Sequence, residues 1–171
     1  MNQIGEPQGE HTNGEHTNRD DLRPGELAVD LPPPADAALR FIGRIRTPWA
    51  SRRETPRQGS QDGPECRVEI FPDFIPALAG LEKFDQIELF YWLDLSRRDL
   101  LLQSPKQDGL PRGTFALRSP VRPNPIGLAR AKLLRIEAGT LFVRGLDCVD
   151  GTPLIDLKPD RCHHGPTRTP D

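Results

Sequence analysis

The sequence has little of what a membrane, secreted or helical protein requires. No apolar run approaches the ~20 residues that carry a helix across a bilayer, so no membrane association is predicted. The N-terminus lacks a basic segment followed by an apolar one, so export by that route is not expected. Cysteine is scarce: Cys66, Cys148 and Cys162 are odd in number and widely spaced. They predict no disulfide framework, and a reducing cytoplasm is the simplest compartment. No Gly-x-Gly-x-x-Gly occurs, which argues against a Rossmann nucleotide fold. Helical periodicity is confined to residues 74–84, where Phe74, Leu78, Leu81 and Phe84 recur at helical spacing but Pro76 and Gly80 limit the length.

What is present is proline, glycine and short alternating runs. The 171 residues hold 19 prolines and 15 glycines against 35% hydrophobic residues. That balance favours one loop-rich β domain with tails. Residues 41–46 and 66–71 alternate as short strands do, and 87–95 is the longest apolar run and reads as a central strand. Residues 128–137 alternate and then shift phase at Leu134, which predicts a bulge. Ala138-Gly139-Thr140 turns the chain into 141–146, so these two strands form a hairpin. Residues 154–158 make a last short strand. The pattern predicts an all-β fold, a small closed or partly open β-barrel with few short helices.

Charge divides the chain. Residues 1–38 hold eight carboxylates against two arginines, whereas the remainder holds 21 lysines and arginines against 17 carboxylates. The division predicts a disordered acidic tail over 1–38, a barrel domain over 39–160 and a C-terminal tail over 161–171. Arg40, Arg44, Arg46, Arg52, Arg53 and Arg57 face only Glu54 between residues 40 and 58. Such a patch suits a polyanion or a plain solvated face. Trp49 is its one aromatic, so stacking on single-stranded nucleic acid is not indicated. His11 and His16 belong to a small repeat in the tail. Cys162-His163-His164 lacks a second ligand cluster, so no metal site is predicted.

Residues 118–129 read Arg-Ser-Pro-Val-Arg-Pro-Asn-Pro-Ile-Gly-Leu-Ala. Pro120, Pro123 and Pro125 exclude a helix and a central strand and stiffen an extended loop. Arg118, Ser119, Arg122 and Asn124 project from that loop, and Gly127 ends it where a ligand can approach backbone. A binding loop is favoured over a surface linker, because the loop lies between apolar runs.

This run resembles the signature of the TsaA-like family, also called YaeB or TrmO. A second block, Asp150-Gly-Thr-Pro-Leu-Ile-Asp-Leu-Lys-Pro, is similar to that family's other hallmark. Weaker similarity covers 42–49, Thr55-Pro-Arg-Gln and 78–92. The resemblance implies an S-adenosylmethionine-dependent methyltransferase on a small barrel. It implies a homodimer and, as substrate, N6 of threonylcarbamoyl-adenosine beside the anticodon of tRNA. It implies a cofactor site of Pro56, Arg57, Gln58, Arg118, Ser119, Asn124, Pro125, Ile126, Gly127, Leu128, Thr152 and Asp156. Ile126 and Leu128 would cover the adenine.

The bare residues leave alternatives open. Asn124 fixes its own loop or meets the ligand. Asp156 and Lys158 share one face of a strand and either pair with a neighbouring charge or face the site. Arg122 and Lys158 together could hold a substrate carboxylate. The block Thr55-Pro-Arg-Gln is a cofactor contact or a surface turn. Tyr91 is assigned to core packing, and Asp94, Arg97, Arg98 and Asp99 to a solvated cap near the site mouth. After Pro159 the chain departs from the family pattern, which weakens the tRNA expectation but not the fold or the cofactor. A methyltransferase for another nucleophile and a non-catalytic S-adenosylmethionine-binding domain are the rival readings.

Overall fold

The computed structural model describes residues 22–28, 38–106 and 109–160. Among the described residues nine strands run in chain order: β1 (Leu27–Ala28), β2 (Gly43–Arg46), β3 (Cys66–Ile70), β4 (Gln86–Trp92), β5 (Leu100–Gln103), β6 (Arg112–Gly113), β7 (Ile126–Glu137), β8 (Thr140–Arg144) and β9 (Pro153–Pro159). Six of them close a barrel in the order β2-β3-β8-β7-β4-β9, with β9 pairing back onto β2. Every pair is antiparallel. Closure removes the unpaired edges that an open sheet of these short strands would expose. The all-β expectation holds, and the helical window at 74–84 is two 3₁₀ segments, Pro72–Leu78 and Leu81–Lys83.

Alternation fills the interior. Ile45, Val68, Ile87, Leu89, Ala131, Leu133, Leu141, Val143 and Leu154 are fully buried. Each large aliphatic side chain among them contributes about 1.5–3 kcal/mol by leaving water. Strand β7 skips a partner between Leu133 and Arg135, so the predicted bulge at Leu134 is present. Cys66 and Cys148 are both free and buried. Burial pushes their thiols up to about 11 and about 12 respectively.

A second small sheet, β1-β5-β6, lies beside the barrel. Its first strand falls within the 1–38 stretch expected to be a disordered tail. Instead Leu27 and Ala28 pair with Leu102 and Leu100, so this piece of the 1–38 stretch is structured; the rest lies outside the described residues, apart from 22–26 and Ala38. Glu26 ties the piece down by accepting from the Arg23 guanidinium and from the Ser104 backbone N–H at 3.1 Å. The apolar run before the proline-rich loop begins with a 3₁₀ turn, Thr114–Ala116. Cys162, His163 and His164 lie outside the described residues.

Shortening a central core side chain tests the packing. Leu133→Ala is expected to lower unfolding free energy by about 2–5 kcal/mol. Urea denaturation measures it, through a lower midpoint at unchanged slope.

Candidate functional site

The proline-rich loop enters β7 directly. Pro125 is fully buried, and its carbonyl accepts the Leu93 N–H at 2.8 Å, so the loop is anchored to the end of β4. Arg98 fixes the tip from the side. Its Nε donates to the Pro123 carbonyl at 2.7 Å, and its guanidinium lies 5.2 Å from the Trp92 ring centre. Gln103 holds the loop's middle from beneath, donating to the Val121 carbonyl at 2.6 Å and to the Thr114 hydroxyl at 2.9 Å. Thr114 in turn donates to the Leu100 carbonyl at 2.7 Å. This polar network is buried and satisfied, which rigidifies the loop it supports.

The loop forms one wall of a cleft of about 1100 Å³. A second wall is the segment with Arg52, Pro56, Arg57 and Gln58, and the floor includes Tyr91, Asp147 and Thr152. Gly59 lets the second wall lie against the barrel, since a Cβ there would fall 1.8 Å from the Gly145 carbonyl oxygen. Apolar cover comes from Leu93, Leu95, Phe115, Leu117, Ile126 and Leu128. Five arginines, Arg52, Arg57, Arg118, Arg122 and Arg130, line the cleft against the carboxylates Glu88, Asp94 and Asp147. The space stands at the top of the roughly 300–1,000 Å³ range of small-ligand pockets.

Pro56, Arg57, Gln58, Arg118, Ser119, Arg122, Ile126, Gly127, Leu128 and Thr152 therefore converge on one cleft. Four others do not line it. Asn124 is exposed at the loop tip, and its side-chain oxygen lies 3.5 Å from the Arg98 guanidinium. Pro125 is the buried plug just described. Asp156 and Lys158 stand on the barrel exterior. Their displacement has a definite cause: β9 skips Ile155 where Phe90 faces Asp156 and Tyr91 faces Leu154. The bulge reverses the alternation, so Leu154 points inward while Asp156 and Lys158 point out. There they approach each other at 4.0 Å, and the Lys158 ammonium sits 5.1 Å from the Phe90 ring centre. A joint Arg122–Lys158 pocket is thus not assembled.

Two residues of the floor were missed. Tyr91 packs in the core, as expected, yet its hydroxyl donates to Asp147 Oδ1 at 2.7 Å within the cleft. Burial, and then the Asp147 charge, push the Tyr91 hydroxyl far above its ordinary range, with Arg118 acting weakly in the opposite sense. Asp147 lies three residues before the second sequence block, with no local pattern to mark it. The basic stretch at 40–58 also divides. Arg46 pairs with Glu69 at 2.9 Å and Arg44 donates to the Gly151 carbonyl at 3.0 Å, whereas Arg52 and Arg57 face the cleft. The cap residues divide likewise: Asp94 lines the cleft, and Arg97 pairs with Asp99 at 2.7 Å.

A closed antiparallel barrel whose proline-rich loop walls an arginine-lined cleft defines a class of small-ligand-binding β domain. Residues 44–161 match the model of the tRNA-methyltransferase O N-terminal domain, and the chain belongs to that family. It is 53% identical over 146 residues to the probable S-adenosyl-L-methionine-binding protein VirR of Rhizobium radiobacter, covering 85% of this chain and 82% of that protein. It is 35% identical over 126 residues to the mouse tRNA (adenine(37)-N6)-methyltransferase, covering 69% of this chain and 29% of the mouse protein. Crystal structures of TrmO from Pseudomonas aeruginosa superpose with TM-scores of 0.60 and 0.59 at 31% and 30% identity. They cover 73% and 77% of this chain but 55% and 61% of those chains, so this chain spans less than two thirds of either solved protein.

Gly127 is a second point of close approach in the site. A Cβ there would lie 2.0 Å from Cε2 of the Tyr91 ring, which crosses directly opposite. Gly127→Ala is expected to displace the ring and cost about 1–3 kcal/mol. Thermal unfolding followed by near-ultraviolet dichroism reads both the loss of stability and the altered tyrosine environment.

Proposed function

We propose that this chain is an S-adenosylmethionine-dependent methyltransferase that methylates N6 of threonylcarbamoyl-adenosine next to the anticodon of tRNA. The observation that carries the reading is the cleft, in which apolar cover, arginines and a rigid loop converge from three separate sequence blocks. The residues present fit the cofactor chemically. Ile126, Leu128 and Leu117 offer a flat apolar cover for adenine, and Arg118, Ser119 and Gln58 offer partners for ribose and the amino-acid end. Asp147 adds a negative charge compatible with a sulfonium. The activity of the mouse relative, a tRNA (adenine(37)-N6)-methyltransferase, supports tRNA as the acceptor, and the five arginines suit its phosphates. The threonyl carboxylate would be met by Arg122, Arg57 or Arg52, since a guanidinium binds a carboxylate through two parallel bonds.

The cofactor supplies an already activated methyl group. The work left to the protein is to position the acceptor in line and to exclude water. Pre-set backbone at Pro120, Pro123 and Pro125 leaves the loop little freedom to lose on binding. The cytoplasm is where such a substrate is met, and no helix among the described residues is long and apolar enough to cross a membrane. A homodimer is part of the reading. Ile87, Leu89 and Leu146 are spent in the chain's own core and Phe142 lies under the Arg135 guanidinium, so these strand faces do not supply a partner surface. What favours it instead is the exposed apolar ring of Leu95, Phe115, Ile126 and Leu128 around the cleft.

Calorimetry tests the site. Arg118→Ala is expected to weaken S-adenosylmethionine binding by about 1.5–3 kcal/mol, while Lys158→Ala leaves it unchanged. The opposite order would move the cofactor to the barrel exterior. Mass spectrometry of tRNA nucleosides from a deletion strain tests the substrate. Loss of the methylated threonylcarbamoyl-adenosine is expected, and an unchanged level points to another acceptor or to a non-catalytic domain. Light scattering tests the assembly, with a dimer expected at twice the 19.1 kDa chain mass.

A further inference from the structure

The Tyr91–Asp147 pair is more than binding of the cofactor requires. Tyr91 is 3% exposed and holds its proton firmly, so it donates and Asp147 accepts. Among the described residues no other hydrogen bond to the Asp147 carboxylate is found, which leaves Oδ2 for the cleft that Asp147 lines. The two other carboxylates of the cleft are placed differently. Glu88 stands directly across from Arg130 on the neighbouring strand, and Asp94 is exposed at the rim. Asp147 alone combines a half-buried position with a donor fixed in the barrel core.

We propose that Asp147 accepts the N–H proton of the methyl acceptor, with Tyr91 as the positioning residue that aims it. The inference rests on the methyltransferase reading and names a proton acceptor within that site. In the step, the acceptor nitrogen's electron pair forms the N–CH₃ bond. The S–CH₃ bond breaks with its pair left on sulfur, which turns the sulfonium into a neutral thioether. The nitrogen becomes strongly acidic as the new bond forms, and its proton passes to Asp147 Oδ2, making a neutral carboxylic acid. Charge and atoms balance: one cation and one carboxylate are consumed together. Tyr91 keeps its proton throughout and holds Oδ1, so the anion cannot rotate away from the cleft.

The test is methyl transfer from S-adenosylmethionine tritiated at the methyl group to total tRNA from a strain lacking this protein. Asp147→Asn retains the shape and can still accept from Tyr91, but it carries no charge. It is expected to lower kcat by roughly 10²–10⁴-fold, the range for a general base, with KM for tRNA within about twofold. Asp147→Glu is expected to recover part of that loss, and Tyr91→Phe to lower kcat about tenfold at unchanged KM. An Asp147→Asn enzyme that binds both substrates and turns over at the wild-type rate overturns the proposal. So does an Asp147→Glu variant no faster than Asp147→Asn, because a purely structural aspartate would give that result. Should Asp147→Asn fail to fold, Tyr91→Phe carries the test, and an unchanged kcat there overturns it. A wild-type protein that binds S-adenosylmethionine but labels no tRNA refutes the methyltransferase reading itself. Wild-type labelling with an undiminished Asp147→Asn rate removes only the proton acceptor.

Discussion

Strand β7 must pass strand β4 at a residue that has no side chain. The Tyr91 ring occupies the space where a Cβ of Gly127 would stand, and Tyr91 and Gly127 are direct cross-strand partners. Much else follows from that crossing. Because the ring turns into the barrel end, its hydroxyl reaches Asp147 on the loop between β8 and β9. Because β7 can begin so close to β4, Pro125 is drawn into the core and its carbonyl meets Leu93. The proline-rich loop is thereby hung over the barrel mouth at a fixed height. A larger residue at 127 would separate the two strands and lift the loop from the floor.

The loop is also held from outside the barrel. Arg98 pins Pro123, and Gln103 pins Val121 from a sheet whose outer strand is Leu27–Ala28. That strand precedes residue 44, where the family match begins. Residues of the acidic N-terminal stretch therefore brace β5, β5 carries Gln103, and Gln103 supports the site loop. Buried polar residues such as Gln103 and Thr114 serve this purpose well, since breaking one bond leaves its partners unsatisfied in a water-poor setting. Rigidity of this kind reduces the ordering cost of binding.

The barrel strands were legible because period-two alternation survives in a sequence whose core is aliphatic. Ile87, Leu89 and Tyr91 alternate on β4, and the phase change at Leu134 marked a real bulge. The small sheet was not legible. Leu100-Leu-Leu-Gln does not alternate, its inward Gln103 is polar, and β1 and β6 contribute two residues each. In the site, Arg118, Ser119 and Arg122 of the loop and Pro56, Arg57 and Gln58 line one cleft, whereas Asn124 and Pro125 of the same loop do not. Nor do Asp156 and Lys158, because a skipped residue at Ile155 changed their face without leaving any trace in composition. Tyr91 was read correctly as core, yet its single polar atom belongs to the cleft. An amphipathic residue can serve both roles, and sequence alone reports the larger one.

The central claim is that the methyl donor lies between the proline-rich loop and the 52–59 segment, over Tyr91 and Asp147. Ultraviolet crosslinking of methyl-labelled S-adenosylmethionine, followed by peptide mapping, measures this directly. Label on peptides from residues 52–59 or 115–130, competed by S-adenosylhomocysteine, is the predicted result. Label confined to the exterior of β9 around Asp156 and Lys158, with none on the loop, would contradict it.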